Sequence, residues 1–193
     1  LYVKELVRPK YALKDNTAPT VDGTSGVIIA PLPLLPIYKG LPGASLLAEI
    51  LLQKYVYHLP FYRQVQQLGH LGVKMPENTI SGWFKPACEL LKPLYEVLKK
   101  EVIDTDYLQV DETTLPVINK ESHKARKEYL WMVRAVMKKL VFFYYNDGSR
   151  SQETVGTLLK SFTGYLQSDG WQAYNVFDKE DQVCLVGCMV HIR

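Results

Sequence analysis

Asp111 is an acidic residue inside a run that otherwise favours an extended backbone, YLQVDETTLPV at residues 107–117. Side chains alternate between the two faces of a strand, so Asp111 and the adjacent Glu112 are predicted to point to opposite faces. An aspartate in a buried strand is costly unless it is ion-paired, hydrogen-bonded or bound to a metal ion. Asp111 therefore predicts a partner elsewhere in the chain.

A second aspartate, Asp169, directly follows the predicted strand GYLQS at 164–168. A right-handed crossover allows this strand to lie parallel beside the strand that carries Asp111. Two carboxylates held close together repel, and one keeps its proton unless divalent cations lie between them. Hard oxygen ligands on rigid strands are typical of Mg²⁺ sites in phosphoryl transfer. Asp111 and Asp169 are thus candidate ligands of Mg²⁺, with Mn²⁺ as an alternative ion.

The elements that would position these carboxylates occupy residues 104–193, where the hydrophobic period is that of strands. The order is βββαβαβ, which indicates an α/β domain with a mixed sheet. The NDGS turn at 146–149 is predicted to cap the first helix. Strands are predicted at 106–118, 128–138, 139–146, 164–168 and 182–190, and helices at 150–162 and 171–178.

The preceding residues divide into an extended segment, 1–43, and a helical region, 44–103. The segment is rich in proline and glycine, whereas 44–59 has leucines at helical spacing and Ser45 as its predicted N-cap. A short helix follows Pro60, and a long helix with kinks near Pro86 and Pro93 comes next. The long helix is predicted to bury one stripe: Ile80, Trp83, Phe84, Ala87, Leu91, Leu94, Tyr95 and Leu98.

A short helix, a glycine-containing turn and a helix that begins with polar residues form the outline of a helix-turn-helix. A plain helical hairpin fits the same pattern. In the first interpretation the polar positions of the two helices meet DNA, and in the second they form a solvated face. These positions are Arg63, Gln64, Gln67, Asn78, Thr79 and Lys85.

The composition indicates a soluble chain of one or two domains, with 193 residues of which 47% are hydrophobic. Its apolar stretches, such as VIIAPLPLLPI at 27–37, are too short and too interrupted by proline to cross a bilayer. Three cysteines without a framework spacing indicate a reducing compartment, so a cytoplasmic location is expected. The net charge of +3 is modest.

Taken together, several stretches resemble the IS66-type transposases over essentially the whole chain. They are RPKYA, APLPLLPIYKG, LLAEILLQKYVYHLPFYRQVQQLG, YLQVDETTLPV, YLWMVRA, GYLQSDGWQAYN and VGCMVHIR. The resemblance implies a ribonuclease-H-like core of the DDE type, in which two aspartates and a glutamate bind two Mg²⁺ ions. These ions activate water or a DNA 3′-hydroxyl for in-line attack on a phosphodiester. Asp111 and Asp169 match the first two acids.

Two departures from the family pattern change what is expected of this chain. The family's third acid lies on a helix after the fifth strand, but the one glutamate after Asp169 is Glu180, which precedes the last strand and is rejected. The sequence is therefore expected to be C-terminally truncated before that acid, as a fragment or a shortened gene product. Relatives also carry a Cys-X-X-Cys zinc half-site after KYA, where Leu13 and Asn16 stand here. No zinc site is expected there.

Other candidate residues lie between the first two strands and after the second aspartate. Cys188 and His191 look like the Cys-X-X-His element that lies near the active site in several DDE transposase groups. Cys184 is expected in a packed strand, and Trp171 is expected in the core rather than stacked on DNA. The loop between the first two strands carries a basic run, read either as a solvated hairpin or as a contact to DNA phosphates. That run includes Lys120, Lys124, Arg126 and Lys127.

The leading hypothesis is a transposase that cleaves and joins DNA strands with Mg²⁺, acting on transposon ends and target DNA. The alternatives are a non-catalytic DNA-binding protein derived from a transposase and a ribonuclease-H-like nuclease acting on another nucleic acid. A homo-oligomer and complexes with other proteins of the same mobile element are left open. No membrane partner is expected.

Overall fold

The computed structural model describes residues 2–12, 27–38, 40–179 and 181–191. It divides into two compact units, Leu1–Cys88 and Glu89–Arg193. The division falls inside the longest helix, whereas the sequence alone suggested a boundary after residue 103. The positions of the lost zinc half-site, Leu13 and Asn16, lie outside the described residues.

The first unit begins with a two-stranded antiparallel sheet, β1 (Lys10–Ala12) and β2 (Val27–Ile29). Arg8 supports this sheet, because its Nε donates a hydrogen bond to the carbonyl oxygen of Ala30 at 2.7 Å. The segment predicted to be extended therefore contains a short hairpin-like pairing.

Three helices follow: α1 (Ala44–Tyr55), α2 (Phe61–His70) and α3 (Glu77–Ile103). Gly43 is the N-cap of α1 and makes no side-chain cap bond, so the prediction that Ser45 caps this helix was wrong. Pro60 precedes α2 with an extended backbone, which suits the first turn of a helix because proline has no N–H to donate. The core of the unit is formed by α1 and α3, and α2 packs against it through partly buried residues. The buried residues are Leu47, Ile50, Ile80, Trp83 and Ala87, and those of α2 are Phe61, Val65 and Leu68.

The apolar stripe predicted along α3 is only partly correct. Ile80, Trp83 and Ala87 are buried as expected. Leu91 and Leu94, however, are 46% and 68% exposed. The second half of the helix instead buries Val102 against the sheet of the second unit, with Tyr95 and Leu98 partly buried there. The predicted stripe is thus interrupted at Leu91 and Leu94, which lie between the buried residues at the two ends of α3.

The second unit contains a five-stranded mixed sheet with the order β5-β4-β3-β6-β7. Its strands are β3 (Tyr107–Ile118), β4 (Ala125–Ala135), β5 (Leu140–Tyr145), β6 (Gly164–Ser168) and β7 (Val183–Gly187). β3, β4 and β5 form an antiparallel meander, and β6 pairs in parallel with both β3 and β7. The predicted α/β class, mixed sheet and order of elements are confirmed.

Helical elements cover one face of this sheet. They are the last part of α3, α4 (Gln152–Leu158) and the 3-10 helix Gln172–Lys179. A further 3-10 helix, Met189–His191, has no buried residue. Ser151, rather than the NDGS turn, is the N-cap of α4, since the Thr154 N–H donates to its hydroxyl at 3.2 Å. Alternate residues of the strands, including Leu108, Val110 and Leu166, form the core with these elements.

Gly164 begins β6 where the chain passes very close to Asp106. Its φ is +127°, and a Cβ placed there would lie 2.4 Å from the Asp106 carbonyl oxygen. The next residue, Tyr165, donates its N–H to that same oxygen at 2.8 Å. A residue without a side chain is therefore required where the parallel pairing of β3 and β6 starts.

Candidate functional site

Asp111 lies within β3, and Asp169 directly follows β6, the parallel neighbour of β3. The register of β3 with β6 pairs Gln109 with Gln167, and two further residues along each chain lead to Asp111 and Asp169. One oxygen of each carboxylate accepts a backbone N–H. Glu112 donates to Asp111 Oδ1 at 2.9 Å, and Trp171 donates to Asp169 Oδ1 at 2.9 Å.

Glu112 places a buried carboxylate beside these aspartates. It lies on the core-facing side of β3, opposite Trp131 of β4, and its side chain is only 1% exposed. Arg150 Nε donates to Glu112 Oε1 at 2.7 Å, and the Tyr174 hydroxyl donates to Oε2 at 3.2 Å. Both carboxylate oxygens are therefore hydrogen-bonded, which a buried charge requires.

Arg150 connects Glu112 with the segment that carries Asp169. Its guanidinium carbon lies 4.0 Å from the centroid of the Trp171 ring and 5.2 Å from that of Tyr129. One terminal nitrogen of the guanidinium is 3.9 Å from Asp169 Oδ2. Burial favours the neutral form of Arg150, but the hydrogen bond and charge of Glu112 outweigh it and raise the pKa of Arg150.

The Tyr174 hydroxyl contacts the carboxylate of Glu112 and also senses the charges of the two aspartates. Burial is the largest cause of the raised pKa of Tyr174, and the negative charges of Glu112, Asp169 and Asp111 raise it further. Tyr174 stays neutral as a result and can donate its hydroxyl hydrogen to Glu112.

The donor set at this end of the sheet suits a hard cation. Carboxylate oxygens are the ligands that Mg²⁺ prefers, and Mg²⁺ is commonly held by one or two carboxylates together with water and substrate phosphate. Within residues 2–12, 27–38, 40–179 and 181–191, no group of three or more His, Cys, Asp or Glu side chains is arranged to hold a metal ion. The described residues thus offer a pair of carboxylates.

Cys188 follows β7 and lies next to the end of β6. Its backbone N–H donates to the Ser168 carbonyl oxygen at 2.8 Å, one residue before Asp169. His191 ends the following 3-10 helix and is exposed. Cys184, which was expected to be packed in its strand, is exposed, so that prediction was wrong. Position 184 alternates with the buried Val183, which places Cys184 on the opposite face.

The basic run lies at the far end of the β3–β4 hairpin. Pro116 pairs with Lys127, five residues beyond Asp111, which is roughly 17 Å along an extended strand. All of its predicted DNA-contacting residues are exposed, and Arg126 also forms an ion pair with Glu128. These residues are Lys120, Lys124, Arg126 and Lys127.

The polar positions of α2 and α3 are exposed except for two. Arg63, Gln67, Asn78 and Lys85 are exposed, and Thr79 is half-buried. Gln64, which was predicted among the DNA-facing positions, is buried, and its Nε2 donates to the carbonyl oxygens of Ile50 and Leu59. Gln64 therefore joins α2 to the end of α1 and is not available to a ligand.

Arg150 and Tyr174 were missed by sequence reasoning, and Trp171 was identified only as a core residue. Trp171 does pack on the core, but it also stacks on Arg150. Arg150 stood at the start of the helix predicted over 150–162, where the helix dipole disfavours a cation, but this weak signal identifies no partner.

Residues 39–193 match the family model described as Transposase IS66 family. Uncharacterized protein y4qI of Sinorhizobium fredii (strain NBRC 101917 / NGR234) is 31% identical over 96% of this chain and 35% of its own length. Uncharacterized protein y4jD of the same strain is 29% identical over 100% of this chain and 39% of its own length. The chain thus spans less than two fifths of these curated relatives.

Among the described residues, no helix is both long and apolar enough to span a membrane.

Proposed function

Because the chain belongs to the IS66 family of transposases, we propose that it acts in DNA transposition through a ribonuclease-H-like core in which Asp111 and Asp169 bind Mg²⁺. The parallel pairing of β3 with β6 is the observation that carries the proposal, since it aligns the two aspartates across neighbouring strands. The order of three meandering strands, a helix and a parallel fourth strand supports the same core.

The two aspartates would hold the cation against a DNA phosphate. When bound there, Mg²⁺ supplies an activated nucleophile and neutralises charge that develops on the phosphodiester. The backbone N–H groups of Glu112 and Trp171 fix the orientation of the carboxylates without adding a charge of their own. Cys188 and His191 are proposed to lie beside this centre, because the Cys188 N–H bonds to the residue before Asp169.

Two exposed surfaces are proposed to bind DNA. In the second unit, Lys120, Lys124, Arg126 and Lys127 would contact phosphates, which give affinity without sequence information. In the first unit, α2, the turn and the start of α3 would act as a helix-turn-helix. Its contacting residues would be Arg63, Gln67, Asn78, Thr79 and Lys85.

The metal proposal is tested by Mn²⁺ binding and by DNA cleavage with the 193-residue chain. We expect Asp111→Ala and Asp169→Ala each to weaken Mn²⁺ binding, measured by electron paramagnetic resonance without DNA. We also expect both to abolish Mn²⁺-dependent nicking of a duplex that carries the element's ends. Equal Mn²⁺ affinity in the wild type and both variants would remove the aspartates from the site.

The DNA surface on the hairpin is tested by the salt dependence of duplex binding. Each lost phosphate contact should lower the slope of log affinity against log salt by about 1. We expect this for Lys124→Gln and Lys127→Gln, measured by fluorescence anisotropy. Lys160→Gln, another exposed lysine, serves as the matched control. An equal slope in all three variants and the wild type contradicts a phosphate-binding hairpin.

A further inference from the structure

The two proposed metal ligands are held in the same way by two different segments. Asp111 Oδ1 accepts the N–H of the next residue, Glu112. Asp169 Oδ1 accepts the N–H of Trp171, two residues further along. The position of each carboxylate therefore depends on the backbone of the residue that donates to it.

The side chains of these two donor residues meet at a single arginine. Arg150 donates to the buried carboxylate of Glu112 at 2.7 Å and lies 4.0 Å over the ring of Trp171. The Tyr174 hydroxyl holds the other oxygen of Glu112, so the carboxylate that anchors Arg150 is itself fixed. Arg150 thus links the β3 segment that bears Asp111 to the segment after β6 that bears Asp169.

We infer that Arg150 is a positioning residue that sets the spacing of Asp111 and Asp169, and through it the affinity of the pair for a divalent cation. This inference rests on the proposed metal site. A guanidinium is suited to the task because it is planar, donates through a rigid fork and stacks on aromatic rings. A lysine at position 150 keeps the charge but has neither the fork nor the flat face.

A simple electrostatic role for Arg150 predicts the opposite result. Its guanidinium is 3.9 Å from Asp169 Oδ2, so its positive charge repels a cation bound there. Removal of that charge alone would tighten cation binding. Removal of the positioning contacts would weaken cation binding. Groups that orient metal ligands typically raise the affinity for the metal by roughly 10-fold to 100-fold.

The decisive experiment measures Mn²⁺ affinity by electron paramagnetic resonance, without DNA, for the wild type and two variants. We expect Arg150→Lys to weaken Mn²⁺ binding about tenfold. Arg150→Gln should weaken it less, because the loss of the positive charge offsets part of the loss of positioning. Unchanged or tighter binding in Arg150→Lys overturns the inference, because that variant keeps the charge and loses only the geometry.

Loss of Arg150 also leaves Glu112 buried without its partner, so a folding defect must be separated from a loss of positioning. The double variant Glu112→Gln with Arg150→Gln removes both charges, and a neutral replacement of a buried ion pair is commonly tolerated. We expect it to keep the wild-type near-ultraviolet circular dichroism and still bind Mn²⁺ about tenfold more weakly. Wild-type affinity in this variant overturns the inference.

Glu128→Gln is the matched control, because Glu128 is another buried glutamate bonded by an arginine and a tyrosine. It should leave Mn²⁺ affinity unchanged. Failure of the inference is distinguishable from failure of the metal site. If Asp111→Ala and Asp169→Ala lose Mn²⁺ binding while the Arg150 variants retain it, only the inference fails. If the two alanine variants retain binding, the metal site itself fails.

Discussion

Glu112 on β3 and Glu128 on β4 have closely similar surroundings. Each is a nearly fully buried carboxylate within a strand of the same sheet, with side chains 1% and 5% exposed. Each accepts hydrogen bonds from one arginine and one tyrosine: Arg150 and Tyr174 for Glu112, and Arg126 and Tyr145 for Glu128. The same arrangement, a buried carboxylate bonded by one arginine and one tyrosine, thus occurs twice in this sheet.

The two clusters differ in what their arginines contact beyond the glutamate. Arg150 is 34% exposed, stacks on Trp171 and approaches Asp169. Arg126 is 62% exposed and lies in the hairpin, two residues from Glu128 on the same strand. Burial and pairing of a carboxylate therefore do not by themselves place it beside the proposed metal site. The contacts of its partner with separate segments of the chain distinguish the cluster beside the aspartates.

The largest expected difference concerns the two arginines. Arg150→Gln should lower the free energy of unfolding by about 3 kcal/mol, the low end for a broken buried ion pair because part of Arg150 is exposed to solvent. Arg126→Gln should lower it clearly less, since water reaches that ion pair more easily. Urea unfolding followed by tryptophan fluorescence measures both. Equal losses would remove the distinction between the clusters.

A smaller difference is expected for the tyrosines. Tyr174→Phe removes a buried hydroxyl that donates to Glu112, which should cost about 1.5 kcal/mol, as for a hydrogen bond to a charged group. Tyr145→Phe should cost less, because Tyr145 is 42% exposed and water can replace its hydroxyl. Thermal unfolding of the two variants tests this order, and a larger loss for Tyr145→Phe would reverse it.

The smallest effect on stability is expected at acidic pH, when Glu128 is substituted. Hydrogen bonds from Tyr145 and Arg126 lower the pKa of Glu128 below its ordinary value of 4.5. A carboxylate with a lowered folded-state pKa stabilises the protein above its unfolded pKa, and this stability is lost as the pH falls through the folded pKa. Between pH 5 and 3, roughly, the melting temperature of Glu128→Gln should therefore fall less steeply than that of the wild type. Parallel curves would contradict this assignment.

The sequence predicted the sheet well because its signals are local and strong. Alternation along YLQVDETTLPV and GYLQS fixed two strands to within about a residue, and the crossover rule predicted their parallel pairing. The alignment of Asp111 with Asp169 follows from these facts alone. Their role as metal ligands stays a prediction.

The residues around the aspartates were harder to predict, since their contacts join distant parts of the chain. Arg150 lies 38 positions from Glu112, and Tyr174 lies 62 positions from it. No periodicity reports such pairs. Gln64 and Leu94 show the same limit in the helices. Gln64 is buried because it donates to backbone carbonyl oxygens, and Leu94 is exposed although it lies on the predicted apolar stripe.

A mutation at Gly164 would disturb the alignment of Asp111 with Asp169, although Gly164 lies at the other end of β6. Even the methyl group of an alanine at position 164 would collide with the main chain of Asp106. The simplest way to relieve this clash is a shift of β6 along β3. Such a slip would carry Asp169 away from Asp111. The alignment of Asp111 with Asp169 at one end of these strands thus depends on the absence of a side chain at Gly164, at the other end. Gly164 itself supplies no chemical group to the site.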